Sequence, residues 1–234
     1  MEPIKITARM ASPIALFDDW TPSMDSLLEW LILDKLNLTT PNPTEEQVQA
    51  TRAIVDAQMP IAKGSLERDS GTDWYWQVSG PCYRYTIEQQ DRFRKRWQPG
   101  TDSPEPRWGK RKPKWNTSEG AEKSYDLPMY LRSVDSIIWY AVGDIAGVLA
   151  LLQGCTGLGK KRSYGNGQVL EWDVSPTAED WHLYRNGKLM KPIPIDAVPN
   201  RGEYPAQTWG WRPPSWAHWN KVVCSMPTKT VRRV

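Results

Sequence analysis

Five of the residues from Gly154 to Gly167, GCTGLGKKRSYGNG, are glycine, and the basic run Lys160-Lys161-Arg162 stands among them, followed by Ser163 and Tyr164. A stretch this rich in glycine serves as a loop, because glycine loses the most backbone freedom on folding and brings no side chain to pack. Glycine also tolerates positive φ and lets another molecule approach bare backbone. Cations set among exposed N–H groups suit a polyanion, since charge and donors converge on phosphate. A Walker A loop requires GxxxxGK followed by Ser or Thr. Gly154, Gly159 and Lys160 fit that spacing, but Lys161 occupies the place of the magnesium-binding hydroxyl, and the stretch follows a helical pattern where a strand is required. A dinucleotide fingerprint fails as well, because Gly157-Leu158-Gly159 continues into Lys160-Lys161-Arg162. Two readings stay open on the residues alone, a solvated turn between helix and strand and a polyanion-binding loop.

The flanking chain has α+β character. Ile4, Ile6, Ala8 and Met10 alternate with Lys5, Thr7 and Arg9, the period of a half-buried strand that exits at Pro13. Thr21-Pro22 offers a cap and a first-turn proline, and Met24, Leu27, Leu28 and Leu31 predict a helix to about Leu36. Beyond Pro41-Asn42-Pro43, Thr44 to Gln47 has the capping-box pattern of a second, short helix with Val48, Ile54 and Val55 on it. Two or three strands are expected in MPIAKGSL, DWYWQVS and PCYRYTI, divided by Gly71 and Gly80-Pro81. Order is expected again from Tyr130, with a strand over Ile137–Val142. Asp144 then caps a helix carrying Ile145, Val148, Leu149 and Leu152, and a returning strand over Gln168–Val174 has Leu170, Trp172 and Val174 alternating. With the segment between about 92 and 126 set aside, this order reads βαββαβ, a ferredoxin-like or RRM-like domain over 1–174. Residues 175–234 predict a small, irregular, β-rich lobe. It has a hairpin around Asn186-Gly187, crowded Trp209, Trp211, Trp216 and Trp219, and a last strand at Val222-Val223-Cys224.

The set-aside segment is the most charged part of the chain. Nine Lys and Arg between Arg92 and Lys114 face only Asp102 and Glu105, within a 234-residue chain whose net charge is +3, so the remainder is mildly acidic. A local basic block on such a background points to one defined polyanion contact. The segment lacks core-forming periodicity and is expected to be a flexible insertion that orders on a partner, a disordered basic loop being the plainer alternative. Fourteen Trp and nine Tyr against two Phe give many flat rings with a polar handle, useful for stacking bases and at wet interfaces. Mean hydropathy is −0.62, and no apolar run nears the ~18 residues of a membrane span. Cys82, Cys155 and Cys224 are widely spaced with no CxxC pair, which argues against a zinc site or a disulfide framework. A soluble protein of the reducing cytoplasm, without a cofactor, is expected.

Gly157-x-Gly159, five residues, then Gly165-x-Gly167, entered from a helix and left by a strand, resembles the glycine-rich loop of the RAMP superfamily, the repeat-associated RNA-binding subunits of CRISPR systems. The opening IKITARMASPIALFDD and the following SMDSLLEWL look like the start of one branch, the type IV crRNA 5′-handle-binding subunit, counterpart of the fifth-family Cas proteins. The resemblance covers the first strand and helix and the region from about Ile137 to Val174. It implies a non-catalytic subunit that grips the 5′ handle of a crRNA and caps a filament of backbone RAMP subunits beside a large subunit. A contact with the target DNA duplex near the protospacer-adjacent motif is among its implied roles. Gly157, Gly159, Gly165 and Gly167 would then admit the RNA backbone, Lys160, Lys161, Arg162 and Ser163 would meet phosphates, and Tyr164 would stack. Lys5 and Arg9, on the polar face of the first strand, are expected to line the same groove. The insertion resembles a thumb, with Arg92, Arg94, Lys95, Arg96, Trp97, Arg107, Trp108, Lys110, Arg111, Lys112, Lys114 and Trp115 as its nucleic-acid or subunit contacts.

Catalysis is not expected. Related repeat-processing RNases use a histidine or another general acid/base near the 2′-hydroxyl, whereas the first 181 residues here contain no histidine. His182 lies beside the expected hairpin and His218 within the Trp cluster, surroundings typical of packing residues. Tyr164 beside Lys161 keeps an endoribonuclease as the alternative. An unrelated RRM-like module is disfavoured by the absence of aromatic RNP-type strands. Asp18, Asp19 and Asp25 suit capping of the first helix better than binding a metal.

Overall fold

The computed structural model describes residues 1–16, 18–95 and 124–228. It opens with β1 (Glu2–Met10), where Ile4, Ile6 and Ala8 are fully buried and Lys5, Thr7 and Arg9 turn to the other face. A short exit leads to β2 (Ile14–Leu16), three buried residues with no alternation to reveal them in the sequence. α1 (Met24–Lys35) starts later than Thr21-Pro22 suggests, with Ser23 at its N-cap, and buries Met24, Leu28 and Ile32. α2 (Glu45–Gln58) begins as expected: Thr44 Oγ1 accepts from the Gln47 N–H, and the Gln47 side chain accepts from the Thr44 N–H. Only Val55 of this helix is buried, and Ile54 is exposed.

β3 (Lys63–Arg68) and β4 (Gly71–Trp76) form a hairpin, and β5 (Tyr85–Lys95) pairs antiparallel with β6 (Tyr125–Val134). β7 (Ser136–Gly143), α3 (Ile145–Leu152) and β8 (Val169–Pro176) follow; Asp144 caps α3 through the Gly147 N–H at 2.7 Å. The last part holds β9 (Tyr184–Arg185) and β10 (Lys188–Leu189), joined at Asn186-Gly187 with φ of 50° and 75° as an Asn-Gly hairpin requires. Then come β11 (Ile193–Pro194), β12 (Ala206–Gly210) and β13 (Lys221–Ser225). The architecture is mixed α+β, with three α-helices among the described residues and several small antiparallel sheets, ordered β7-β1-β8, β2-β6-β5, β3-β4, β11-β13-β12 and β10-β9.

The strands expected in MPIAKGSL, DWYWQVS and PCYRYTI appear with shifted bounds as β3, β4 and the start of β5, and beside β7 these segments form the isolated bridges Ile61–Gly143, Val78–Ala141 and Cys82–Ile138. Two expectations are corrected. Leu170 does not share a face with Trp172 and Val174: Met10 pairs with Val169 and Arg9 with Glu171, so Leu170 is the extra residue of a bulge and is 66% exposed. The basic stretch is strand, not flexible loop, at its start: Arg92, Arg94 and Lys95 lie in β5, opposite Pro128, Asp126 and Tyr125, and β6 already begins at Tyr125, ahead of the expected Tyr130. The pair is exposed on both faces, so it carries no apolar alternation to read. Arg96, Trp97, Arg107, Trp108, Lys110, Arg111, Lys112, Lys114 and Trp115 lie outside the described residues.

The main core gathers around Trp139, fully buried between the helices and β1, with its Nε1–H donating to Pro22 O at 3.1 Å. A second core joins Leu66 and Tyr75 of the β3–β4 hairpin to Leu189, Ile193, Val198, Trp211, Cys224 and Met226. Buried charge runs along the seam. Lys191 reaches Asp25 at 3.3 Å, both side chains 6% exposed, and also donates to Trp76 O. Glu29 accepts from Arg52 and from Trp76 Nε1 (2.9 Å), while Arg52 reaches on to Pro213 O. Arg212 pairs with Asp73, and Arg68 bridges Asp73 to Asp196.

Such pairs punish the loss of one partner. Lys191→Ala should lower unfolding free energy by roughly 3–5 kcal/mol, because Asp25 is left as a buried uncompensated charge. Adding Asp25→Asn should recover part of that loss; urea denaturation of the single and double variants checks both. Glu29 generates a pH prediction. Burial raises its pKa above 4.5 despite the opposing Arg52 and Trp76 bonds. A carboxyl raised on folding gives stability that is present below the unfolded pKa and lost as pH rises through the folded one. The stability of the native chain relative to Glu29→Gln should therefore fall as pH rises from about 4.5, as read by denaturation across pH.

Candidate nucleic-acid interface

The loop after α3 is strapped to the segment between β1 and β2. The Gly167 N–H donates to Pro13 O (2.8 Å), the Lys160 N–H to Ala15 O (3.0 Å) and the Ala11 N–H to Gln168 O (2.8 Å). Ser12 Oγ donates to Gly165 O at 2.7 Å and accepts from the Gln168 N–H at 2.9 Å. Within the loop the Leu158 N–H meets Gly167 O at 2.8 Å. To make these bonds the chain takes positive φ at Gly159 (77°), Lys161 (56°), Gly165 (80°) and Gly167 (68°).

The glycines divide by what surrounds them. A Cβ on Gly167 would lie 1.9 Å from Leu158 O, and one on Gly159 2.6 Å from Ala15 O. These two are required by the protein's own backbone. Gly157 leaves room for the Arg162 side chain, whose Nη1 donates to Gly157 O at 3.4 Å. Gly154 and Gly165 alone among the loop glycines face open space. Lys161 is the one loop residue with a side chain in the left-handed region, a conformation costing roughly 1–2 kcal/mol.

The strained lysine holds its Nζ 3.3 Å from the centroid of Phe93, which stacks on Tyr125 at 5.3 Å and meets Tyr164 edge-on at 5.3 Å. The loop tip therefore meets the β5–β6 pair. Tyr164 remains 68% exposed, at the end of a single 3-10 turn over Arg162–Tyr164 that also presents Ser163 to solvent. The Arg162 guanidinium lies 6.0 Å from the Trp30 ring. Burial lowers the Lys160 pKa, with Asp18 opposing and Lys161 adding to the shift. Between the loop and the β8 bulge lies an open groove of about 510 Å³.

The other expected contacts are dispersed. Lys5 and Arg9 project from β1; Arg9 pairs with Glu171 at 2.9 Å, and Lys5 stands between Tyr140 and Ser175 in the sheet register. Arg92 and Arg94 bracket Asp126 at 2.8 and 3.3 Å, and the Arg92 bond holds the Asp126 carboxyl below its usual range. Arg132, at the base of the pair, reaches Asp19, Glu88 and the Tyr83 hydroxyl. Each histidine has a structural partner. His182 links the Tyr75 hydroxyl (3.0 Å) to Asp180, and burial pushes the Tyr75 phenol up to about 12. His218 packs edge-on against Trp219.

The family of CRISPR type IV associated protein Csf3 matches residues 2–227. The chain belongs to the Csf3 family. Csf3 is the type IV counterpart of the fifth-family Cas proteins and a member of a type IV CRISPR complex with other subunits. The match takes in the glycine loop and also the last part of the chain, for which the sequence offered no resemblance. No curated protein matches the chain. Among the described residues no helix is long and apolar enough to cross a membrane. Sequence reasoning missed Phe93 and Tyr125 of this Csf3-family chain. The single hint was that Phe93 is one of only two phenylalanines and stands inside the basic run.

The division of the glycines is testable by denaturation. Gly154→Ala should leave stability within about 0.5 kcal/mol. Gly165→Ala should cost roughly 1–2 kcal/mol from its positive φ alone. Gly167→Ala should cost clearly more than either, since the Leu158 carbonyl must move.

Proposed function

We propose that this Csf3-family chain is the non-catalytic RNA-binding subunit of its type IV complex, gripping the 5′ handle of the crRNA and capping the backbone filament. The observation that carries the reading is the rigid loop. Lys160, Lys161 and Arg162 are held on a strapped backbone beside an exposed Tyr164 and the open Gly165. A left-handed Lys161 is a strain that persists because the surroundings impose it, and such strain concentrates at binding sites. Lys161 and Arg162 lie against aromatic faces, contacts that leave a cation's charge available to phosphate. The βαββαβ reading draws support from β1 lying between β7 and β8, with α1 and α3 sharing its core. The β5–β6 pair is the base of the thumb in this reading, directed to a backbone subunit, crRNA or target duplex. Lys5 and Arg9 are secondary contacts, Arg9 only after exchange of Glu171 for phosphate. The described residues from 175 onward form the reduced second lobe in this reading.

Replacing Lys160, Lys161 and Arg162 by Ala should weaken binding of handle RNA and flatten its salt dependence. Each lost phosphate contact should reduce the log–log slope by roughly 0.7 for a single strand. A folded variant with the native slope returns the loop to a solvated turn. The non-catalytic part is tested separately: His182→Ala with His218→Ala should still yield a complex containing mature crRNA. Accumulation of unprocessed precursor with a folded variant would favour an endoribonuclease.

A further inference from the structure

We infer that the groove between the glycine loop and the β8 bulge is a base-reading subsite for one unstacked nucleotide of single-stranded RNA, with Asn166 and Gln168 as the residues that set base preference. This rests on the reading of the loop as an RNA grip and adds what the cations cannot supply, since phosphate contacts position a strand without reading it.

The groove is lined by Thr156, Arg162, Asn166, Gln168, Val169 and Leu170 among others. Among the described residues the side-chain amides of Asn166 and Gln168 and the hydroxyl of Thr156 make no hydrogen bond within the chain. Their donors and acceptors are open to a ligand. Each primary amide offers a donor pair and an acceptor, the complement of a base edge. Their backbones, by contrast, are held. Gln168 is clamped by Ser12 Oγ and by the Ala11 N–H, and bridges to Gly157; Asn166 stands between Gly165 and Gly167, both at positive φ. With the backbones held, only the two side chains remain to be ordered on binding, which limits the cost of engaging them.

The lining also includes apolar side chains. The bulge swings Leu170 out of the β8 alternation, leaving it 66% exposed, and Val169 adds a half-buried neighbour. Bulges re-aim side chains next to sites, and a groove lined by both apolar side chains and amides can accept a flat base by its face and read it by its edge. Arg162 completes the set, reaching into the same groove from the loop cations and so linking a base in the groove to a phosphate on the loop. The volume of about 510 Å³ leaves room for one base and its ribose.

The test uses the full chain and a randomised single-stranded RNA pool, with bound RNA sequenced and affinities measured across salt. The native chain should select one base at one position. Asn166→Ala with Gln168→Ala should reduce that selection by roughly 5- to 150-fold, the range of a lost bidentate contact, with the salt slope unchanged. Gln168→Glu, which keeps the length and replaces donors by acceptors, should change which base is preferred. Lys160→Ala with Lys161→Ala should show the reverse pattern, a flatter salt slope with selection intact. Selection unchanged in the amide variants, or RNA bound by the native chain without selection at any position, overturns the subsite and leaves the RNA grip standing. Failure of the native chain to retain RNA at low salt overturns both.

Discussion

Residues 11–16 carry the strap on which the rest of this structure depends. They leave β1, the centre of one sheet, and enter β2, an edge of another, and on the way bind the glycine loop through Ala11, Ser12, Pro13 and Ala15. The strap backbone approaches so closely at Ala15 that only glycine fits at 159, and within the loop the Leu158 carbonyl imposes the same on 167. Buried backbone groups must be paired, and the paired loop cannot drift from the sheets it joins. The cations on it are therefore presented in one arrangement, and a ligand meets little residual loop entropy.

How each cation is satisfied separates structural charge from available charge. Arg9, Arg68, Arg92, Arg94, Arg132, Arg201 and Arg212 all have a carboxylate within salt-bridge distance. Lys161 instead rests on the Phe93 ring, and Arg162 donates to a carbonyl with Trp30 6.0 Å away. A carboxylate neutralises its partner, whereas a ring holds a cation in place with its charge intact. Among the described residues Lys161 and Arg162 have no carboxylate within salt-bridge distance, so their charge faces an approaching polyanion. The contact of Lys161 and Tyr164 with Phe93 also makes the loop tip and the base of the β5–β6 pair one surface.

The last part of the chain is attached by a different device. Its core is shared with the β3–β4 hairpin, its Lys191 pairs with Asp25 of α1 in a buried site, and Arg52 of α2 donates to Pro213 O. Buried pairs are weak sources of net stability, since desolvation opposes their attraction, but they tolerate only one alignment. Asp25–Lys191 thus sets the register of the C-terminal part against the first half, and the half-buried Arg212–Asp73 pair adds to it. This is consistent with a family match that runs through both.

Local chemistry determined much of this protein from sequence alone. The alternation in 4–10, the capping box at Thr44, the Asp144 cap, the Asn186-Gly187 turn and the glycine loop are each decided by a few neighbouring residues. Their signals survive without tertiary context. The family was legible too, because the loop's glycines at 159 and 167 answer a backbone contact that the fold imposes. What only the tertiary structure decided has the opposite origin. β2 is too short to show a period, and the β5–β6 pair is exposed on both faces and so lacks one. The bulge at Leu170 arises from a register set by β1, not by β8 itself. Which cations are neutralised, and which glycines serve the chain rather than a ligand, depends on partners up to 166 positions away in sequence, as Asp25 and Lys191 are. Distance along the chain hides such pairs, and only packing brings them together.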